Sequence, residues 1–99
     1  MYQYTTPTHK FTLSVSLDKF LKVKIIYAQK DKVLFVKTLD DIAEDSGYTA
    51  TITLSQEESG RFDERFPCQI QWHVQTKDGA IMASSIYETS VQKVLDGVI

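Results

Sequence analysis

Hydrophobic and polar residues alternate with a period of two along much of the chain. The clearest runs place an apolar side chain at every second position over residues 48–54 and 68–74, and residues 11–17 and 23–27 follow the same pattern. Residues 33–36 form a continuous apolar run. Successive side chains of a strand point to opposite faces, so alternation is typical of strands with one buried face. The pattern therefore predicts short antiparallel strands, with Trp72 in the core.

Two turn signals join neighbouring strands into predicted hairpins. Gln29-Lys30-Asp31 connects the second and third runs, although it lacks the glycine that such a turn favours, and Asp78-Gly79 is a strong hairpin signal. The register after Asp78-Gly79 stays open, because one extra loop residue moves every following side chain to the other face. A two-residue loop sets one apolar group beside the core-facing Val74, namely Ile81, Ala83 and Tyr87. A three-residue loop with Gly79 as a bulge sets another group there, namely Met82 and Ile86.

The segment from Ser55 to Glu58 fits a capping box at the start of a helix. In this motif the Ser55 side chain accepts from the amide of Glu58, and the Glu58 carboxylate accepts from the amide of Ser55. Gly60 stands where a short helix would end. We therefore predict one short helical turn in a crossover between strands. Residues 40–47 are predicted as an acidic loop, and residues 91–95 as a last short strand.

The spacing of these elements predicts the fold class. About seven short strands, with turn signals at roughly ten-residue spacing, are typical of a small immunoglobulin-like sandwich. We predict an all-β, antiparallel sandwich of this type. At 99 residues the chain is expected to form a single domain over residues 1–99. Residues 1–8 precede the first strand and are expected to form a flexible N-terminal arm.

The sequence shows no pattern of a catalytic, cofactor or metal site, so we do not expect an enzyme. Cys68 is the only cysteine, which excludes an internal disulfide and favours a buried small side chain. A nucleophilic role needs an adjacent base, but His73, five positions along the strand, projects from the opposite face. His73 is expected at the solvated surface, and His9 belongs to no ligand cluster. Four carboxylates could gather around calcium, but their spacing favours a solvated loop; they are Asp40, Asp41, Glu44 and Asp45.

The net charge of −2 conceals an uneven distribution. Residues 1–39 carry seven lysines against two carboxylates, whereas residues 40–99 carry four basic residues against eleven carboxylates. Two interpretations stay open. Either the two halves form separate faces of a dipole suited to head-to-tail stacking, or their strands interleave and opposite charges become neighbours.

Polar positions on the strands and the arm supply the candidate interaction surface. Six lysines crowd the first hairpin and favour protection of an edge strand, with an acidic protein partner as the alternative. The acidic composition and the distant arginines argue against a nucleic-acid partner. A row of glutamines is expected to face solvent or a partner, and the N-terminal arm could add to a neighbouring sheet. The candidate residues are Tyr2, Tyr4, Lys22, Lys24, Gln69, Gln71, His73 and Gln75.

The sequence contains no pattern typical of a targeting signal. The first residues lack the basic and apolar stretches of a signal peptide. No apolar run approaches the roughly 18 residues that a membrane span needs. We therefore expect synthesis in the cytoplasm and no membrane partner.

Several segments, in their order and spacing, resemble small and mostly uncharacterised proteins of phages and prophages of Gram-positive bacteria. The resemblance covers nearly the whole chain, and these proteins are in turn loosely similar to the N-terminal sandwich module of phage baseplate upper proteins. The sequence departs from the pattern at Gln29-Lys30-Asp31, where a glycine is expected, and at Trp72-His73. The segments that carry the resemblance are Lys10-Phe11-Thr12-Leu13, Ile25-Ile26-Tyr27-Ala28-Gln29, Leu54-Ser55-Gln56-Glu57-Glu58, Gln69-Ile70-Gln71, Thr76-Lys77-Asp78-Gly79, Ala83-Ser84 and Val94-Leu95-Asp96-Gly97-Val98-Ile99.

The resemblance implies a non-enzymatic structural or adaptor protein of a virion, in the tail or baseplate. It implies synthesis in a bacterial cytoplasm and a place in the virion. The implied partners are other phage structural proteins or copies of the chain itself, and the resemblance transfers no catalytic residue.

The alternative function is a small ligand-binding module for carbohydrate or a host surface, which would use exposed aromatics such as Tyr2, Tyr4 or Tyr87.

Overall fold

In a computed structural model, the chain folds into two antiparallel β-sheets. The structure describes the backbone of all 99 residues and the side chains of all except residues 44–46. Two 3₁₀ turns cover Leu17–Lys19 and Leu39–Asp41, and one helix, α1, covers Gln56–Gly60. The strands are β1 (Thr8–Thr12), β2 (Phe20–Gln29), β3 (Lys32–Thr38), β4 (Ala43–Ser46), β5 (Thr49–Thr53), β6 (Cys68–Thr76), β7 (Ile81–Ala83) and β8 (Tyr87–Thr89).

The two sheets differ in size and are joined by the predicted crossover. The smaller sheet has the strand order β1-β5-β4, and the larger has the order β3-β2-β6, with β7 and β8 both pairing with β6. Helix α1 connects β5 of the smaller sheet to β6 of the larger one. The prediction of an all-β antiparallel sandwich is confirmed, and the immunoglobulin-like type stays a prediction.

The capping box at the start of α1 is confirmed. The amide of Glu58 donates to the Ser55 hydroxyl at 3.1 Å, and the amide of Ser55 donates to the Glu58 carboxylate at 2.9 Å. These bonds satisfy two of the helix's unpaired amides. The helix ends at Gly60 as predicted. The ring of Tyr4 lies so close to Gly60 that a side chain there would collide with it.

The core lies between the sheets and contains the inward positions that alternation predicted for β5 and β6. Trp72 is 5% exposed, and its ring meets that of Phe11 edge-on, with 5.3 Å between centroids. Its burial confirms that it is a core residue. Phe62, which follows α1, joins the same cluster through Tyr27 and Phe35. The inward residues of β5 and β6, all buried, are Ala50, Ile52, Cys68, Ile70, Trp72 and Val74, and the buried Leu54 follows β5.

The hairpin between β2 and β3 is confirmed, and its turn is formed without glycine. Lys30 and Asp31 have φ values of 51° and 62°, as a two-residue type I′ turn requires. A left-handed conformation is costly for residues with a side chain. The Asp31 amide donates to the side-chain oxygen of Gln69 at 2.9 Å, and the Gln69 side-chain amide donates to the Asp31 carboxylate at 3.1 Å. This reciprocal pair with β6 stabilises the turn.

The second hairpin has the three-residue loop, with Gly79 at φ 96°. The amide of Thr76 donates to the carbonyl of Ala80, and Met82 stands opposite Val74, as this register predicts. Ile86 was expected on the same side, and that expectation is wrong. Tyr87, not Ile86, lies opposite the core-facing Ile70, because the edge strand is interrupted between Ala83 and Tyr87.

Three other boundaries differ from the prediction. The acidic segment 40–47 contains β4, which pairs with β5, so backbone pairing overrides a local sequence typical of a loop. The first strand ends at Thr12, and the chain reaches the buried Leu17 through a bend and a 3₁₀ turn. Residues 91–95 form no strand, only an isolated bridge between Gln92 and Tyr2, and Leu95 is 93% exposed.

The segment before β1 makes hydrogen bonds to several parts of the fold. The terminal amine donates to the carbonyl of Ser90 at 2.7 Å. Thr5 is held at both its amide and its carbonyl by the hydroxyl of the buried Ser59, at 3.0 and 2.7 Å. The carbonyl of Pro7 accepts from the amide of Leu54. Thr8 itself belongs to β1, and the flexibility expected of residues 1–8 stays a prediction.

Strands from the two halves of the chain interleave, which resolves the two interpretations of the uneven charge. β1 pairs with β5, and β2 pairs with β6, so each sheet contains strands from both halves. One consequence is the ion pair of Lys37 with Glu58 at 2.6 Å. The charge distribution therefore yields neighbouring opposite charges rather than two separate faces.

We predict that Trp72→Ala lowers the free energy of unfolding by about 3–5 kcal/mol, because a buried aromatic side chain is replaced by a cavity. Urea denaturation followed by circular dichroism measures the change. Ile81→Ala is the matched control, since Ile81 is 68% exposed and its truncation should cost less than about 0.5 kcal/mol. A Trp72→Ala protein as stable as the control would contradict the assignment of the two faces of β6.

Candidate interaction surface

Six of the eight candidate residues lie on one face of the larger sheet, the face opposite the core, which we call the outer face. Cross-strand pairs of β2 and β6 define it. Lys22 stands opposite Gln75, and Lys24 stands opposite His73. Toward the other end of the strands, Ile26 stands opposite Gln71, and Ala28 stands opposite Gln69. The alternation that buries Trp72 and Ile25 therefore turns this whole set outward.

The centre of the outer face is apolar. Val36 pairs with Ile26, and Val33 pairs with Ala28, which extends the face across β3. Val33 is 61% exposed, Val36 is 42% exposed, and Ile86 from the opposite edge is 51% exposed. A shallow depression of about 280 Å³ lies between the two edges, and its lining includes Ile26, Val33, Ile86 and the glutamines Gln69 and Gln71.

Opposite charges stand at the two ends of the outer face. Lys22 and Lys24 are exposed at one end, and neither lies within ion-pair distance of a carboxylate among the side chains that the structure describes. Asp31 and Glu88 are exposed at the other end, where Glu88 of β8 stands opposite Gln69 of β6 in the strand register. Lys30 and Lys32, which flank Asp31, lie off this face, because the Lys30 ammonium lies 4.4 Å from the ring centre of Phe66 and Lys32 stands opposite the buried Gln29. The outer face itself is thus positive at one end, apolar in the middle and negative at the other.

The glutamines of this face are held in place by hydrogen bonds within the sheet. Gln69 is paired with Asp31 in the hairpin turn. The Gln71 side-chain amide donates to the carbonyl of Ser84 at 2.9 Å, on the interrupted edge strand. His73 is exposed, as predicted. The positions of Gln69 and Gln71 are therefore fixed before any partner binds.

The two remaining candidate residues lie elsewhere. Tyr2 is 56% exposed and bridges to Gln92 near the end of the chain. Tyr4 packs its ring on Gly60 of α1 and adopts a positive φ of 55°. Neither tyrosine joins the outer face, so the candidate set divides into a sheet surface and a separate N-terminal contact.

The apolar centre of the outer face was missed by the sequence analysis. Alternation placed Ile26 on the same face as Lys22 and Lys24. An apolar residue among these polar ones was the signal in the sequence that could have indicated an apolar centre. Val33 and Val36 share the outer face only because the register of β2 and β3 shifts beside Tyr27, leaving Leu34 as the extra residue. A strict period of two places positions 33 and 36 on opposite faces.

A second depression, of about 210 Å³, opens between the two sheets beside β1 and β7. Its aromatic lining consists of Phe11, Trp72, Tyr87 and Phe20, and Phe11 and Tyr87 approach with 6.1 Å between ring centroids. Tyr87 is 48% exposed, whereas the indole N–H of Trp72 is buried and has no hydrogen-bond partner among the described residues. We call this depression the side groove.

Burial sets the chemistry of the thiol and of one histidine–tyrosine pair. Cys68 is fully buried, as predicted, and burial raises the pKa of its thiol to about 12, so the nucleophilic thiolate is disfavoured at neutral pH. His9 Nδ1 lies 2.8 Å from the hydroxyl of the buried Tyr27, a pairing that the sequence analysis missed. Burial lowers the pKa of His9 and raises the pKa of Tyr27 well above its ordinary value.

The acidic segment considered for calcium is only partly described. The Asp41 carboxylate accepts from the amide of Thr38 at 2.8 Å and so caps the 3₁₀ turn. The side chains of Glu44 and Asp45 lie outside the described residues. Among the side chains that are described, the structure holds no cluster of three metal-ligating residues. A helix long and apolar enough to span a membrane does not occur in the described part of the chain.

Comparisons with known proteins find no relative. No protein-family model matches the chain, and no curated protein or solved structure is significantly similar to it.

We predict that folding stability falls as the pH drops below about 6.5, because of His9. Its pKa in the folded protein lies below the ordinary value of 6.5, so the unfolded chain takes up the proton first. The contribution of neutral His9 to folding stability is fully present above the pKa that His9 has in the unfolded chain. It is lost as the pH falls toward the lower pKa of His9 in the folded protein. Urea denaturation between about pH 5 and 7.5 should give a steeper pH dependence for the natural protein than for His9→Gln. His73→Gln is the control, and parallel curves for the natural protein and His9→Gln would contradict the prediction.

Proposed function

We propose that this chain is a non-enzymatic structural or adaptor protein of a phage or prophage, in the tail or baseplate, and that it assembles through the outer face. It is made in a bacterial cytoplasm and becomes part of the virion. The observation that carries the assembly role is the apolar centre of the outer face, formed by Ile26, Val33, Val36 and Ile86.

An exposed apolar centre on a flat sheet suits a protein partner. Contiguous apolar patches rimmed by polar residues mark interaction surfaces in soluble proteins. The depression on the outer face is shallow, and its lining comes from the flat surface of the larger sheet. A broad, shallow surface favours contact with another protein surface over enclosure of a ligand.

The contact proposed here is made by side chains. On the outer face, β2 pairs on both sides with β3 and β6, so its backbone groups are already bonded within the sheet. Apolar side chains would supply the binding energy, and the charged ends would orient the partner. The bonded glutamines Gln69 and Gln71 lower the entropy cost of ordering the surface on binding.

The phage assignment is supported by the resemblance of the sequence segments described above. The non-enzymatic role agrees with the high pKa of the Cys68 thiol, which disfavours covalent catalysis at the one cysteine.

We predict that the chain is found in particles released by inducing the host's prophage and that Val36→Lys reduces its incorporation at least about tenfold. Val36 is 42% exposed, so a lysine there alters the apolar centre with little effect on folding. Mass spectrometry of gradient-purified particles measures the incorporated amount. Leu95→Lys, at a 93% exposed position away from the sheet, is the control.

Two results bear against this proposal in different ways. Particles that lack the natural chain would contradict a virion role. Particles that incorporate Val36→Lys as well as Leu95→Lys would keep the virion role but contradict assembly through the outer face.

The side groove favours a second candidate function, binding of a small carbohydrate or host-surface ligand. Tyr87 and Phe11 place aromatic rings beside an opening of about 210 Å³. Aromatic side chains combine an apolar body with a polar tip, which suits partly wet binding sites.

We predict for this alternative that a glycan array yields hits whose signal falls at least about tenfold with Tyr87→Ala. The control is Tyr48→Ala, which removes a tyrosine that is 56% exposed, against 48% for Tyr87, and that does not line the groove. An array without hits, or hits that persist in Tyr87→Ala, would contradict the alternative.

A further inference from the structure

We infer that the outer face binds the outer face of a second copy of the chain, and that a two-fold axis crosses the strands at the level of Ile26 and Gln71. The inference rests on the proposed use of this face in assembly and names its partner.

The charges of the face are complementary to themselves under this rotation. Such an axis reverses the strand direction in the second copy, so the end with Lys22 and Lys24 lies over the end with Asp31 and Glu88. This contact between a lysine end and an acidic end occurs twice in the dimer, as in every isologous interface. Lys22 stands two rows beyond Lys24 on β2, and Asp31 lies in the turn just beyond the other end of the strand. This places Lys22 of one copy closest to Asp31 of the other.

The apolar centre packs against itself in the same arrangement. The axis passes through the row formed by Val36, Ile26 and Gln71, which are neighbours on adjacent strands. Ile86 lies at the edge of this row, where it shares the depression with Ile26 and Gln71. Each apolar side chain on the axis therefore meets its own equivalent, and water leaves the depression of both copies.

Electrostatics distinguishes this axis from the other two-fold that brings the faces together. An axis along the strands would lay the lysine end of one copy on the lysine end of the next, and like charges brought together are destabilising. Neither Lys22 nor Lys24 has a carboxylate partner within its own copy among the described side chains. Their charge is therefore available to a second molecule.

The size of the face sets the expected affinity. Four strands spaced about 4.8 Å apart, over about nine residues of about 3.4 Å each, cover roughly 600 Å² per copy. This is below the roughly 800 Å² per partner of a standard stable interface. The dimer is therefore weak and concentration-dependent when the chain is alone, with a dissociation constant above the nanomolar range.

Sedimentation velocity of the full chain between about 5 µM and 1 mM tests the inference, because a weak dimer follows mass action. The weight-average sedimentation coefficient should rise from the monomer value toward the dimer value. Val36→Lys should raise the dissociation constant at least about tenfold, since the two introduced charges face each other across the axis. Leu95→Lys should dimerise like the natural chain.

A pair of charge variants tests the orientation independently of Val36. The first, Lys22→Glu/Lys24→Glu, makes both ends acidic. The second, Asp31→Asn/Glu88→Lys, leaves both ends without acidic charge, and asparagine tolerates the left-handed backbone at position 31. Each variant alone should dimerise at least about tenfold more weakly than the natural chain. An equimolar mixture should form heterodimers at natural strength or better, because each lysine-bearing end then faces an acidic end.

The outcomes separate this inference from the proposed function. A chain that stays monomeric at about 1 mM, a dimer indifferent to Val36→Lys, or charge variants that do not complement each other would each overturn the two-fold dimer. A monomeric chain that still enters particles through the outer face would overturn the dimer and leave the proposed function standing. A dimer in solution, together with particles that lack the chain, would support the two-fold dimer and overturn the proposed role in the virion.

Discussion

The pairing of β2 with β6 is the constraint on which the rest of the molecule depends. Ile25 opposite Trp72 fixes the core side of the larger sheet, and Lys24 opposite His73 fixes its outer side. A slip of one residue would turn the slipped strand over, either burying the lysines of β2 or exposing the tryptophan of β6. Burial of charged side chains without partners is prohibitive, so this register is strongly specified. The side chains of the outer face owe their positions to this selection for the core.

The outer face also depends on two irregularities at the margins of the larger sheet. The register shift beside Tyr27 brings Val33 to the same face as Val36. On the other edge, the break after Ala83 turns Tyr87 toward the core and leaves Ile86 beside Gln71. Bulges are a general means of redirecting side chains at sheet edges. Here the bulge on one edge and the break on the other gather apolar residues around Ile26, which gives the sheet an apolar centre with charged ends.

The sequence predicted those features that depend on local pattern. Alternation identified β5 and β6 with their inward residues, and the spacing of Ser55 and Glu58 identified the cap of α1. Features that depend on contacts distant in the chain were not predictable. β4 forms in a charged segment because β5 supplies its bonds, and the buried Gln29 side chain holds the amide of Asp63. Six of eight candidate residues came together because polar residues of neighbouring antiparallel strands share a face. The apolar centre of that face depended on a bulge in β2 and β3 and on a break between β7 and β8, neither of which was predicted.

Self-association of the chain through the outer face can be measured without any substitution by a concentration series of two-dimensional NMR spectra. Dilution shifts report which residues change environment on self-association without any substitution. We expect these shifts to be concentrated on Ile26, Val36, Gln71 and Ile86, with smaller changes at Lys22 and Asp31. Shifts centred on Phe11 and Tyr87 in the side groove, or no shifts at millimolar concentration, would contradict self-association through the outer face.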